Sequence, residues 1–339
     1  MKKRITTLLF IGLLVINLSM VNFKTVSAQV IPSNEPAAKV VNWANWREKG
    51  YTGKGVKIAV IDQGNFNTKL SIYNNMITKV DDPLFDVPGS CDLKHVQGTV
   101  GVINQIAPDA QIFLYSSGRN LKDIVEDCHS RGINIINFSA TTSAFPEEIR
   151  ALNKYCISDM LFVESAGNEG KSLQGLCLLP QIVKVGAGST GVASLIRESY
   201  SSYGEELDTI GVTNLLVYND NGDLMQFMGT SCAAPAVTGM MAQFYQYYNE
   251  KMGKFPNAYD ARMYINNRSI DMEDIGFDIY TGYGYLKQPD IDIIEKQLTL
   301  ANNHTENSVK MIDKQGQIVY VAHEIVKDDI ILKGYRLTQ

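Results

Sequence analysis

The chain has 339 residues, 45% of them hydrophobic and 20% charged, with a formal net charge of -5. That is globular composition, long enough to bury a core in one large domain or two modest ones. With no basic stripe along it, the sequence offers nothing to phosphate backbones or anionic lipid surfaces, so nucleic acid is excluded as an expected partner.

At the start, Lys2, Lys3 and Arg4 precede an apolar run from Leu8 to Met20, and Val26, Ser27 and Ala28 set small residues before a cut. This pattern predicts a secretory signal peptide over residues 1–28. The apolar run is shorter than the roughly 20 residues that cross a bilayer, and no later stretch is longer. The mature chain is therefore expected to be secreted, off the membrane and, lacking any signal for oligomerisation, a monomer. A short segment, 29–37, precedes the main domain, predicted over 38–297.

From about Ala38, apolar strand-like runs (Val56 to Ile61, Gln111 to Tyr115, Asn134 to Phe138, Met160 to Glu164, Ile182 to Val185) alternate with helical patterns. Such alternation predicts an α/β fold: a three-layer, doubly wound, mostly parallel sheet. Between the strands, Leu121 to Arg131 and Glu147 to Cys156 carry apolar residues at helical spacing. A long apolar helix is expected from Ser231 to about Asn249, its beginning rich in small residues that permit close passage through the domain. The chain turns polar from Leu298 to Thr305, and Ile318 to Val321 and Ile330 to Leu332 read as short strands. Residues 298–339 are thus a C-terminal extension with a small β-rich appendage from about 306.

The cysteines (Cys91, Cys128, Cys156, Cys177, Cys232) are odd in number, so at least one is unpaired or pairs with another molecule. With no CxxC pair and no histidine clustered with them, no metal site and no cofactor is expected.

Three segments carry candidate chemistry. In KGVKIAVIDQGNF an apolar strand delivers Asp62 into a Gly-containing turn, which suits a functional acid at a strand end and equally a turn-stabilising Asp. In KHVQGTVGVINQIAPDAQIFLY, His95 precedes a helix-like run; taken alone, a single His is more often a surface or packed residue. In FMGTSCAAPAVTGMMA, Ser231 opens the long helix, where a serine is a good cap and where the helix N-terminus can also polarise a reacting group. Pro235 is tolerated near such a start.

Together these segments resemble the subtilisin-like proteases. GTSCAAP is similar to the family's GTSMASP, VIDQG to its VIDTG, and the stretch from His95 to its HGTHVAG, in the family's order Asp, His, Ser. Aligned without gaps from His95, Gly101 falls under the family's glycine, and Ala107 and Pro108 under its AlaPro. FVESAGNEG resembles VVAAAGNEG, and NFSA at 137–140 resembles the NxSxG substrate strand. The resemblance covers roughly residues 38–295. It implies a serine endopeptidase with Asp62, His95 and Ser231 as triad and Asn168 as oxyanion donor. It also implies a peptide or protein substrate lying as an added strand between Ser116, Ser117, Gly118 and Ser139, Ala140, Thr141. Ser165, Ala166 and Gly167 would form a pocket floor, and Glu169 a rim that favours a basic residue.

The departures are specific. Val96 stands where the family has Gly, and would narrow a turn that needs positive φ. Ala140 and Thr141 replace Leu and Gly. The loop that binds calcium in many relatives is absent, and only about ten residues lie between the expected signal cut and the resemblance, too few for a folded pro-domain. General degradation and dedicated processing of a secreted peptide both remain open. The rival readings are an impaired relative that binds peptides or another secreted protein, and a nucleotide- or sugar-binding domain, which lacks GxGxxG after its first strand. A surface adhesin would rest on the appendage alone; the chain ends in RLTQ without an apolar tail.

Overall fold

The computed structural model describes residues 31–64, 66, 77–80, 95–143, 145–190, 195–219, 221–292 and 294, and the backbone of 308–312, 318–322 and 336–337. The expected signal peptide, Cys91 and the strand expected at Ile330 to Leu332 lie outside the described residues.

Two short helices, α1 (Glu35–Val40) and α2 (Trp43–Glu48), open the described chain. Trp43 and Trp46 of α2 are fully buried, and Trp46 packs tilted on Tyr51 and Tyr247. Just before α1, Asn34 donates to Gln105 Oε1 at 2.8 Å and to the Leu216 carbonyl at 2.7 Å, and accepts from Leu216 N–H.

The sheet is built on β1 (Lys57–Asp62). Its residues alternate between two cores: Ile58 and Val60 pack on one face, Ala59 and Ile61 on the other. Being buried on both faces, the strand reads as a continuous apolar run. The further strands are β2 (Ile77–Lys79), β3 (Gln111–Ser116), β4 (Ile135–Phe138), β5 (Leu161–Ser165), β6 (Ile182–Thr190), β7 (Leu195–Arg197), β8 (Thr209–Val212), β9 (Leu215–Tyr218), β10 (Leu224–Phe227), β11 (Ser269–Ile270) and β12 (Tyr285–Leu286). The main sheet runs β11-β12-β8-β6-β5-β4-β1-β3-β2, with β7 on the end of β6. From β12 to β2 every pairing in that order is parallel, whereas β11 and β7 pair antiparallel with their neighbours. β9 and β10 form a separate hairpin. In the C-terminal extension, strands Ser308–Ile312, Ile318–Ala322 and Arg336–Leu337 make a small antiparallel sheet.

Helices α3 (His95–Ile106) and α6 (Thr230–Met252) cover one face, and α4 (Leu121–Ser130) and α5 (Pro146–Tyr155) the other. This is the expected three-layer α/β fold. Phe66, just past β1, is buried in the core on the α3 side, and chain leaving β3 and β4 enters the α4/α5 layer. The carboxyl ends of β1, β3 and β4 therefore border the crevice where open parallel sheets hold their ligands.

Helix α6 passes close to α3: a Cβ on Gly239 would stand 2.8 Å from Ile106 Cβ. It starts one residue before the expected Ser231, with Gly229 as N-cap at φ 83°. Ser231 is thus the second helical residue rather than the cap, and its hydroxyl is free of capping duty.

Candidate active site

Asp62 ends β1 at the crevice, 3% exposed. Its Oδ1 accepts from Gln63 N–H and from His95 Nδ1, both at 2.7 Å, and its Oδ2 accepts from Thr99 Oγ1 at 2.7 Å. A carboxylate only accepts, so His95 carries a proton on Nδ1, and in the neutral imidazole Nε2 then has the lone pair. His95 is the first residue of α3, and its ring meets Phe227 edge-on, centroids 5.4 Å apart. Gly98 makes room for that ring, since a Cβ there would lie 2.5 Å from Phe227 Cδ2.

Val96 sits in helical backbone and is fully buried in the core. Among the described residues, the non-glycine residues with positive φ are Asn42, Asn214 and Glu273. The narrowed turn expected from this departure does not arise, because the position needs no left-handed backbone.

Ser231 Oγ donates to the Ser139 carbonyl at 3.0 Å. Ser139 follows β4, where Asn137 Nδ2 donates to Ser139 Oγ at 2.9 Å and Thr238 Oγ1 of α6 donates to Asn137 Oδ1 at 3.0 Å. Strand end and helix start are thereby tied around the serine. Pro235, four residues on, has no N–H to give the Ser231 carbonyl. Asn168 lies beyond β5; its Oδ1 accepts from Thr230 N–H at 2.9 Å and from Thr230 Oγ1 at 3.0 Å, which leaves the NH2 group as the outward donor. Gly229 is needed here twice over, for its positive φ and because a Cβ would crowd the Asn168 amide at 3.1 Å.

Two cavities flank these groups. A groove of about 380 Å³ runs from Asp62 and His95 past Ser117, Ser139, Ala140 and Thr141 to Glu148, over a floor of Leu121, Ile124 and Phe138, with Arg119 on its wall. Ser116 closes β3 behind it, its Oγ accepting from Gly118 N–H at 3.2 Å. The second cavity, about 300 Å³, is lined by Thr141, Ala166, Glu169, Lys171, Ser172, Gln174 and Ser202. Of the expected floor residues Ala166 lines it, while Ser165 and Gly167 are buried behind. Glu169 Oε2 accepts from Ser202 Oγ at 3.4 Å, and Lys171 brings a positive charge to the lining of the same cavity. The loop carrying Lys171 and Gln174 is pinned to the opposite wall: Leu176 N–H donates to the Thr142 carbonyl at 3.0 Å, and Gly175, at φ 61°, would put a Cβ 2.0 Å from that oxygen. Among the described residues, no group of three or more His, Cys, Asp or Glu could hold a metal ion.

The model of the Subtilase family matches residues 53–284. The chain belongs to that family. As a subtilase it is a serine endopeptidase, similar to the major intracellular serine protease of Bacillus subtilis (strain 168), with 26% identity over 302 residues, 79% of this chain and 93% of that protein. It is 28% identical over 219 residues to Subtilisin NAT of Bacillus subtilis subsp. natto, covering 57% of this chain and 56% of that one. Among solved structures, a lanthipeptide protease superposes with TM-score 0.63 at 22% identity over 76% of this chain and 95% of the other. The prenylagaramide maturation protease PagA superposes with TM-score 0.61 at 19% identity over 75% and 97%. At these identities the two show the subtilase fold.

The motifs of this subtilase point to Asp62, His95, Ser139, Asn168 and Ser231, and the fold brings all five to the crevice. Thr99, Phe227 and Glu148 were missed. Thr99 carried a usable signal, lying four residues after His95 and so on the same helical face. Phe227 and Glu148 reach the site only through tertiary packing, which no local spacing announces.

Proposed function

We propose that this subtilase is a secreted endopeptidase dedicated to processing a peptide substrate, with Asp62, His95 and Ser231 as its catalytic triad. One observation carries the reading: the 2.7 Å bond from His95 Nδ1 to a buried carboxylate, beside a groove whose wall residue Ser139 accepts from the Ser231 hydroxyl. With Nδ1 committed to Asp62, Nε2 is the base. The Ser231 hydroxyl reorients from the Ser139 carbonyl to His95, gives up its proton as Oγ attacks the scissile carbonyl, and forms the acyl-enzyme. His95 then returns the proton to the departing amine, and water completes hydrolysis. The Asn168 NH2 and the Ser231 backbone N–H donate to the oxyanion.

The substrate lies extended between Ser116–Gly118 and Ser139–Thr141, gaining affinity from backbone pairing. The likeness in fold to a lanthipeptide protease and a prenylagaramide maturation protease supports dedicated over general cleavage. A binding-only protein has lost its motive, since Val96 sits in unstrained helix. With Glu169 and Lys171 sharing the second cavity, the bias toward a basic residue weakens, and a polar side chain suits it better.

A fluorophosphonate probe read by mass spectrometry tests the triad. Ser231 is expected to be labelled in the native chain and unlabelled in His95→Ala; an unlabelled native chain that is correctly folded refutes the reading. A peptide library cut at one motif supports dedicated processing, and indiscriminate cutting refutes it. Amino-terminal sequencing of protein from the culture medium is expected to show a start just after Ala28; protein found only inside cells would overturn secretion.

A further inference from the structure

We propose that Thr99 is a positioning residue for the Asp62–His95 pair: it holds the second oxygen of the Asp62 carboxylate so that the first stays aimed at His95 Nδ1. The inference rests on the catalytic reading of Asp62, His95 and Ser231.

His95 and Thr99 are four residues apart in α3 and so share the helix face that looks onto the end of β1. Oδ1 of Asp62 already has two donors, the Gln63 N–H and His95 Nδ1. Oδ2 has Thr99 Oγ1 at 2.7 Å, and both side chains are buried, so water is poorly placed to substitute. A threonine within a helix ordinarily bonds the carbonyl one turn back. Here that carbonyl, of His95 itself, stands at 3.3 Å, and the single hydroxyl proton goes to the nearer, charged acceptor.

A carboxylate fixed through one oxygen can still turn about its last side-chain bond; fixed through both, its plane is set. That plane sets the direction of the Nδ1–H bond and hence where Nε2 points. A small error there is passed directly to the proton transfer, because reactivity depends steeply on alignment. Thr99 therefore acts on turnover through His95 and touches no substrate.

The test compares Thr99→Val with Thr99→Ser in the full chain, using a peptide amide substrate and the fluorophosphonate labelling rate, with thermal unfolding as the check on folding. Losing a hydrogen bond to a charged group predicts that Thr99→Val lowers kcat about 10 to 100-fold and labelling by a similar factor. KM should stay within about twofold, and Thr99→Ser, which keeps the hydroxyl, should retain kcat within about threefold. A native kcat in Thr99→Val, a loss confined to KM, or a serine variant as impaired as the valine would each overturn the proposal. If the valine variant does not fold, Thr99→Cys takes its place, with a weaker donor and an intermediate kcat expected; a native kcat there overturns it equally. His95→Ala and Ser231→Ala separate the two layers. Full activity in either sinks the triad, whereas two inactive variants beside an unimpaired Thr99→Val sink only the role of Thr99.

Discussion

Gly98 is the position at which a single methyl group should be felt most clearly. A Cβ there would lie 2.5, 2.7 and 2.8 Å from three ring carbons of Phe227, well inside van der Waals contact. The ring has little room to retreat, being 8% exposed and already in edge-on contact with His95. Overpacking of this kind typically costs about 1–3 kcal/mol. For a domain somewhat larger than 200 residues that corresponds to a fall in melting temperature of about 2–10 °C. Because the displaced ring leans on the imidazole, kcat should fall as well. Trimming Phe227 to Leu in the Gly98→Ala background should recover stability. A double-mutant cycle should then give a coupling of about 1 kcal/mol or more, against the roughly 0.5 kcal/mol scatter of independent sites. A Gly98→Ala variant with native melting temperature and native kcat, or a cycle that simply adds, would refute the contact.

Asn168→Ala should lower kcat about 100 to 1000-fold with little change in KM, the range known for such an oxyanion donor in a member of this family; an unchanged kcat would remove Asn168 from the oxyanion site. Glu164, on β5, is fully buried, and burial holds its carboxyl well above the ordinary value of 4.5 against the pull of the Cys177 thiol and of Lys184. The folded chain thus keeps a proton that the unfolded chain releases, so the stability from this group is present below about pH 4.5 and lost as pH rises toward the folded value. Melting curves of native protein and Glu164→Met should therefore separate progressively from pH 4 to 8, the variant gaining; a gap independent of pH would contradict this. Cys128, Cys156, Cys177 and Cys232 are free and buried, and burial raises all four thiols, Cys128 and Cys232 to about 12. None of the four should react with iodoacetamide at pH 8 until the protein is unfolded, and peptide mapping that finds any of them modified in the native state would argue against that packing.

The central strands were legible because each must satisfy two cores at once, which writes a continuous apolar run into the sequence. β1 was expected to stop at Ile61, yet its ladder continues through Asp62, paired with Ser116; an acid reads as a terminator only when its burial partners are out of view. β6 was expected to end at Val185, yet it runs on to Thr190 through Gly186 and Gly188. Both are strand residues for a tertiary reason: a Cβ at Gly186 would meet Ile210, and one at Gly188 would meet Ile210 and Tyr285, so the neighbouring strand and its side chains require glycine. The short strands β7 to β12 carry too few residues for a period to show. At the site, motif and order named the residues that the fold brings to the crevice. What orients them, Phe227 against His95 and Thr230 against Asn168, is made of contacts between distant segments and had to be seen folded.

The clasp between Leu176 and Thr142 fixes one dimension of the molecule. Next to the second cavity, the segments that carry its lining residues Thr141 and Gln174 are joined by a backbone hydrogen bond, which a rotamer change does not break. On the proposed reading such a cavity would select as a gauge does: a side chain that fits enters without rearrangement, and a broader one has to part main chain from main chain. Point substitutions along the rim can retune its polarity, but admitting bulkier residues would take a change in the length of the loop from Lys171 to Leu179.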